Sequence, residues 1–424
     1  MRSHSLNRSI DISVGRTRHS ARAGRDVATN DAPRATRHVI GLILCFWWFF
    51  VAGIYAAEPK FSKTSFEKTD VSFRNEVQRA IERGTSWLRA NQNTNGFWST
   101  ADHPALTALA LTALAGEPGG KFEKDASVKK GYTFLLRNVQ PDGGIYLKEL
   151  QNYNTALSVN ALVAAKNPDY TPIIRKARAW LIGQQFDMGE KGKLDSALDG
   201  GIGYGNRYPH SDLNNTLSAL EALYYSKEFD TDKNLAGAKD LNWSAAIRFI
   251  QSCQNLPGYN KEPWVSGDVA NKGGFIYFPG HSMAGAETNA TTGKVALRSY
   301  GSISYAGLLS YIYADLKRDD PRVVAVLDWL AQNFTIEENP GMGEQGYYYY
   351  LHLMTKGLSA STLNQLEMRN GKKIDWRREV AMRLINLQKN DGSWANENGR
   401  WWEKDPALVT SYSVISLEII YRGL

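Results

Sequence analysis

Apolar positions along residues 81–421 fall into a two-part pattern that recurs about six times. The first part of each copy is an apolar helix-like stretch that ends near a Gln and a Gly-aromatic turn. Trp87-Leu88 leads to Gln92 and then Gly96-Phe97-Trp98, and Leu135 leads to Gln140 and Gly143-Gly144-Ile145-Tyr146. Trp180-Leu181 leads to Gln185 and Gly201-Ile202-Gly203-Tyr204, and Phe249-Ile250 leads to Gln254 and Gly274-Phe275-Ile276-Tyr277. Leu384 leads to Gln388 and Gly392-Ser393-Trp394, and a degenerate copy runs from Trp329-Leu330 to Tyr347. The second part is apolar around most of a helix circumference and rich in small residues. Examples are Ala105-Leu106-Thr107-Ala108-Leu109, Thr216-Leu217-Ser218-Ala219-Leu220, Ser304-Tyr305-Ala306-Gly307-Leu308 and Thr410-Ser411-Tyr412-Ser413-Val414. Helices of that kind belong inside, whereas the first-part helices carry Arg79, Arg83 and Arg89 on an outer face. No helix pair of a repeat can bury its apolar face alone, so the copies must pack on one another, and six pairs can close into a ring.

The run from basic helix to Gln to Gly-aromatic turn resembles the Gln-Trp repeat of squalene and oxidosqualene cyclases, shared loosely with protein prenyltransferase β-subunits. The resemblance implies an all-α fold, an α/α toroid of about six helix pairs in two concentric rings, over residues 76–424. It also draws attention to Asp212-Leu213-Asn214-Asn215-Thr216. In bacterial squalene cyclases the corresponding stretch is Asp-x-Asp-Asp-Thr, whose middle Asp protonates an alkene. Here that position is Asn214 and the next is Asn215, and an amide has no acidic proton to give. Asp212 is the one carboxyl left and therefore the candidate acid.

Polar residues stand just before each expected inner helix, and in a toroid those ends converge on one mouth. The candidate ligand-binding set is His103, Asn154, His210, Asn214, Asn215, Tyr300, Tyr348, His352 and Asp405. Many are also good helix N-caps, which is the plainer explanation of their positions. Tyrosines near the inner helices, such as Tyr305 and Tyr412, supply ring faces that could stabilise a cation or fill the core. Three readings follow: a cyclase-like enzyme for an isoprenoid or other apolar ligand, a binding or scaffold toroid that has lost the acid, and a carbohydrate-active toroid using Asp102, Asp212 or Asp405.

Other toroid chemistries find less support. Cys253 has no Asp two residues earlier for a prenyltransferase-type zinc site, and the histidines have no metal-ligand spacing, so no metal or cofactor is expected. Gly341-Met342-Gly343-Glu344-Gln345 echoes a thioester motif, but methionine cannot form the bond.

Charge changes the picture at one end only. Residues 1–38 hold eight Arg and three Asp, which leaves +2 of the total +7 for residues 58–424, so no nucleic-acid partner is expected of the toroid. Residues 39–57 carry no charge and are long enough to cross a bilayer. They read as a cleaved signal or a retained membrane anchor, followed by a linker at 58–75, and either reading places the toroid outside the cytoplasm. With Cys253 alone in the toroid, no internal disulfide is possible there, and 43% apolar residues must supply the core instead.

Overall fold

The computed structural model describes residues 70–424 except 121, 206–207, 209, 230–239, 289–292 and 369. The tail, the apolar segment 39–57 and most of the linker lie outside the described residues. Among those described, no helix is long and apolar enough to cross a membrane.

Twelve α-helices are described, and they alternate between two layers. The outer set is α1 (Val71–Ala90), α3 (Ala126–Arg137), α5 (Thr171–Ile182), α7 (Trp243–Ser252), α9 (Pro321–Gln332) and α11 (Trp376–Leu387). The inner set is α2 (Pro104–Gly116), α4 (Gln151–Ala164), α6 (Leu213–Tyr225), α8 (Gly301–Tyr313), α10 (Tyr347–Ala360) and α12 (Pro406–Arg422). Each inner helix packs on the inner helix before and after it, and α12 returns to α2, so the ring closes. The α/α toroid is the observed fold. The chain enters α1 at Val71, capped by the Asp70 side chain at Phe73 N, which is inside the segment expected to be linker. Two short antiparallel hairpins, Ala286–Thr288 with Val295–Leu297 and Leu366–Glu367 with Lys373–Ile374, decorate the ring.

The two layers follow from side-chain pattern. Helix α1 buries Phe73, Val77, Ala80, Ile81, Gly84 and Leu88, a single stripe at helical spacing, and leaves Arg79 and Arg83 outside, while Arg89 at its end pairs with Glu117 and Asp125. Helix α2 is buried from Pro104 to Leu111 without a break, because inner helices have neighbours on every side.

In four of the repeats the Gln joins its outer helix to the next one. Gln92 Nε2 donates to Gly96 O of its own turn and to Ser127 O on α3, at 2.9 and 2.8 Å. Gln185 reaches Asn242 O before α7, Gln254 reaches Arg322 O on α9, and Gln388 reaches Ala80 O on α1, which closes the outer ring. Gln140 differs, turning back to Tyr146 O. In five of the turns a glycine (Gly96, Gly143, Gly200, Gly273 or Gly392) has a positive φ and lies against the backbone of the next outer helix. At Gly200 (φ 88°) an added Cβ would stand 2.1 Å from Ala245 O, and at Gly273 (φ 99°) 2.2 Å from Ala325 O. Only glycine fits both demands.

Candidate functional site

All six inner helices start at the same end of the ring, so their N-termini form one mouth. A second repeated device sets how each helix begins there. The residue two after the turn glycine donates its N–H to a hydroxyl on the first turns of the following inner helix. The pairs are Trp98 with Thr107, Ile145 with Thr155, Ile202 with Thr216, Phe275 with Ser304, and Trp394 with Thr410. Thr216, the last residue of the Asp-Leu-Asn-Asn-Thr stretch, is therefore a repeat fixture. Counting back from these hydroxyls puts Asp212 in register with His103 and Tyr300, and Asn214 in register with Tyr153.

Asp212 is the N-cap of α6 and is fully buried. Its Oδ1 accepts from Asn215 N at 2.9 Å and its Oδ2 from Asn215 Nδ2 at 2.7 Å. Burial pushes its carboxyl up to about 6, against the lowering effect of the Asn215 bonds and of nearby His210. Tyr204 and Tyr277 pair beside it, and burial together with the Asp212 charge drives the Tyr277 and Tyr300 hydroxyls up. Cys253 lies within the same electrostatic reach, and its thiol is raised by burial.

Asn214 is only partly buried and accepts from Tyr349 OH at 3.2 Å. That bond runs from α10 to α6, two helices that are not neighbours in the ring, so it crosses the lumen. A second crossing joins Tyr153 OH on α4 to Tyr412 OH on α12 at 3.3 Å. Deeper down, Lys356 on α10 pairs with Glu221 on α6, and Glu221 also accepts from Tyr313 OH. His352 stacks on Tyr412 with ring centroids 4.9 Å apart, and burial holds its imidazole well below the usual histidine range. The lumen is therefore crossed by hydroxyls, an amide and an ion pair.

Several expected ligand residues have other work. Both ends of the Asn154 amide are engaged: Oδ1 accepts from Ala105 N and caps α2, while Nδ2 donates to Glu149 O. Asp405 caps its own helix through Ala407 N and also accepts from Ser99 Oγ. Within the tyrosine run it is Tyr349 that meets Asn214, whereas Tyr348 lies edge-on to Tyr347. His103 and His210 sit on the mouth loops, His103 edge-on to Trp402 at 5.1 Å and His210 stacked on Phe278 at 4.3 Å. Two mouth residues escape the sequence pattern. Glu403, buried, accepts from Tyr349 N at 2.8 Å and so caps α10, and Asn339 caps α8 at Ser302 N. Tyr153 could have been found, since aligning Thr155 with Thr216 places it at the Asn214 position. Among the described residues no cluster of His, Cys, Asp and Glu could hold a metal ion.

No family model matches the chain. A terpene cyclase/mutase of Nectria sp is 27% identical over 202 residues, covering 43% of this chain and 24% of the relative. A probable squalene–hopene cyclase of Sinorhizobium fredii is 30% identical over 140 residues, covering 27% of this chain and 22% of that protein. The matches thus span about a quarter of each curated relative. In structure, the type II terpene cyclase MstE from Scytonema matches with a TM-score of 0.51 at 13% identity, covering 83% of this chain and 99% of that one. The chain is thus similar over part of its length to terpene and squalene–hopene cyclases, and it shares the α/α toroid fold of a type II terpene cyclase. This toroid carries amides at Asn214 and Asn215 and polar contacts across its lumen.

Proposed function

We propose that the protein is a binding toroid that keeps the terpene-cyclase architecture without the alkene-protonating step. The observation that carries this reading is Asn214, an amide at the family's acid position, held across the lumen by the Tyr349 hydroxyl. Asp212 does not replace it, because both its oxygens face Asn215 and the group is sealed from the lumen. A polyprenyl chain would also have to displace the Tyr153–Tyr412 and Lys356–Glu221 contacts, leaving buried polar groups unpaired.

A second reading, an isoprenoid-processing enzyme, draws on the names of the curated relatives and on the raised pKa of Asp212. The two part on the variant Asn214→Asp with Asn215→Asp, incubated with squalene and read by gas chromatography–mass spectrometry. The binding reading expects no product even with the carboxyls restored, because the lumen stays crossed. Product from the variant would favour a cavity still shaped for isoprenoids. Export completes the proposal: the Arg-rich residues 1–38 ahead of the uncharged 39–57 would leave the toroid on the non-cytoplasmic side, free or anchored.

A further inference from the structure

Two loops at the mouth are tied to each other at the start of α6. The first is closed by Asp212 N donating to Ile202 O at 3.2 Å, and it brings His210 back beside Asp212. The second is a tight turn in which His281 N donates to Phe278 O at 2.9 Å and Tyr277 N to His281 O at 3.1 Å. Two contacts join them. Leu213 N, the first amide of α6, donates to Tyr277 O at 3.0 Å, and the His210 ring stacks on Phe278 with centroids 4.3 Å apart and planes 28° apart. His281 stacks on the same phenyl ring at 4.9 Å and 23°. One phenyl ring therefore carries an imidazole from each loop. That ring is half-buried and His281 is exposed, while Asp212, two residues after His210, is sealed from solvent.

What this contact does depends on charge. His210 Nδ1 lies 3.2 Å from Ser211 O, and a carbonyl only accepts, so Nδ1 carries the proton and Nε2 is left to take up a second one. Neutral imidazoles stack on a phenyl ring as other flat aromatic groups do. When both are charged, two cations share one part-buried ring, and each loses solvation in the field of the other. Burial and the His210 charge both hold His281 below the usual histidine range, so the closed arrangement resists that charge. Among the described residues, the neighbouring charged groups do not offset it in acid. Asp212 attracts a proton on His210 while ionised, but its own carboxyl is pushed up to about 6 and loses its charge as the imidazoles gain theirs. Arg400, from the turn before α12, reaches Met283 Sδ at 3.9 Å, two residues beyond His281, and adds a third positive charge. Tyr277, edge-on to His281 at 6.5 Å, keeps its proton because burial raises its hydroxyl.

We propose that His210, Phe278 and His281 form a pH-operated clasp: the two mouth loops stay closed on the start of α6 while the imidazoles are neutral and part when both are charged. The clasp goes beyond the reading of the toroid as a binding protein and holds whatever the lumen accepts.

The test is hydrogen–deuterium exchange of the purified protein, read by mass spectrometry at about pH 7.5 and about pH 5, either side of the ordinary histidine range, with rates corrected for intrinsic exchange. Peptides carrying the Leu213 and His281 amides should exchange at least about threefold faster in acid, while peptides from the rest of the ring do not. Asp212 favours the folded state when protonated, so a loosening confined to the two loops is not general acid unfolding. His281→Phe keeps a ring against Phe278 and removes one charge, and the position is exposed, so the fold is not at risk. Its loops should stay protected at both pH values. Asp212→Asn should still loosen in acid. The proposal is overturned if the wild-type loops exchange alike at both pH values or tighten in acid, the latter meaning that attraction between an imidazolium and the Phe278 face prevails. It is equally overturned if His281→Phe loosens as the wild type does, or if Asp212→Asn abolishes the response, which would make Asp212 the switch.

Discussion

Asp212 shows how one buried carboxyl can be structural and costly together. Its raised pKa, about 6 against an unfolded value of 3.8, means the folded state favours the protonated form. The stabilising share is complete below pH 3.8 and disappears as pH rises through 6, leaving a penalty of about 3 kcal/mol at neutral pH. Glu403 and Glu418, also raised by burial, add slope of the same sign. Melting temperature should therefore fall between about pH 4 and pH 6, and Asp212→Asn should flatten part of that fall while keeping the bond from Asn215 N. An unchanged pH slope in the variant would show that Asp212 is not the titrating group. Glycine gives a second check. Gly200→Ala meets both a positive φ and the Ala245 carbonyl and should cost about 3 kcal/mol or more, read by denaturant unfolding. Gly192→Ala, with φ 82° and nothing within 4 Å, should cost about 1 kcal/mol. Equal costs would mean that backbone contact with α7 is not what the glycine protects.

At the scale of elements, the sequence announced the helices and their layers because burial on one face or on all faces leaves a plain mark in apolar spacing. It also marked the Gln and Gly of each turn, though at Gly200 and Gly273 the strained glycine is one residue before the pair singled out. Helix-start chemistry was only half legible. Asp212 and Asp405 cap the helices they precede, as local propensity suggests. Asn154, Asn339 and Glu403 cap helices of other repeats, and no local pattern can reveal a partner that only folding brings near. Tyr349 rather than Tyr348 faces Asn214 for a related reason: a run of four tyrosines has no polar break to mark its inward side. The threonine device does repeat in sequence, and it predicts a shared cost. Thr216→Val keeps the shape but leaves the Ile202 N–H buried and unpaired, so it should destabilise by about 1–3 kcal/mol in denaturant unfolding. Neutral behaviour would make the hydroxyl incidental.

For the whole molecule, ring closure by α12 on α2 and by Gln388 on α1 makes one cooperative unit of parts that are far apart in sequence. The proposed export of that unit rests on the charge pattern of residues 1–57 rather than on the ring. A reporter active only outside the cytoplasm, fused after Leu424, should work, and activity of a cytoplasm-only reporter instead would refute export. What the lumen does is the larger question, and on the proposed reading it turns on Asn214, an amide where the resembled motif carries an acid. The most direct measurement is product analysis after prolonged incubation of the purified wild-type protein with squalene, alongside Asp212→Asn. The account predicts no cyclised product from either. Wild-type turnover would contradict it, and turnover that survived Asp212→Asn would place the acid at a residue outside the Asp212–Thr216 stretch altogether.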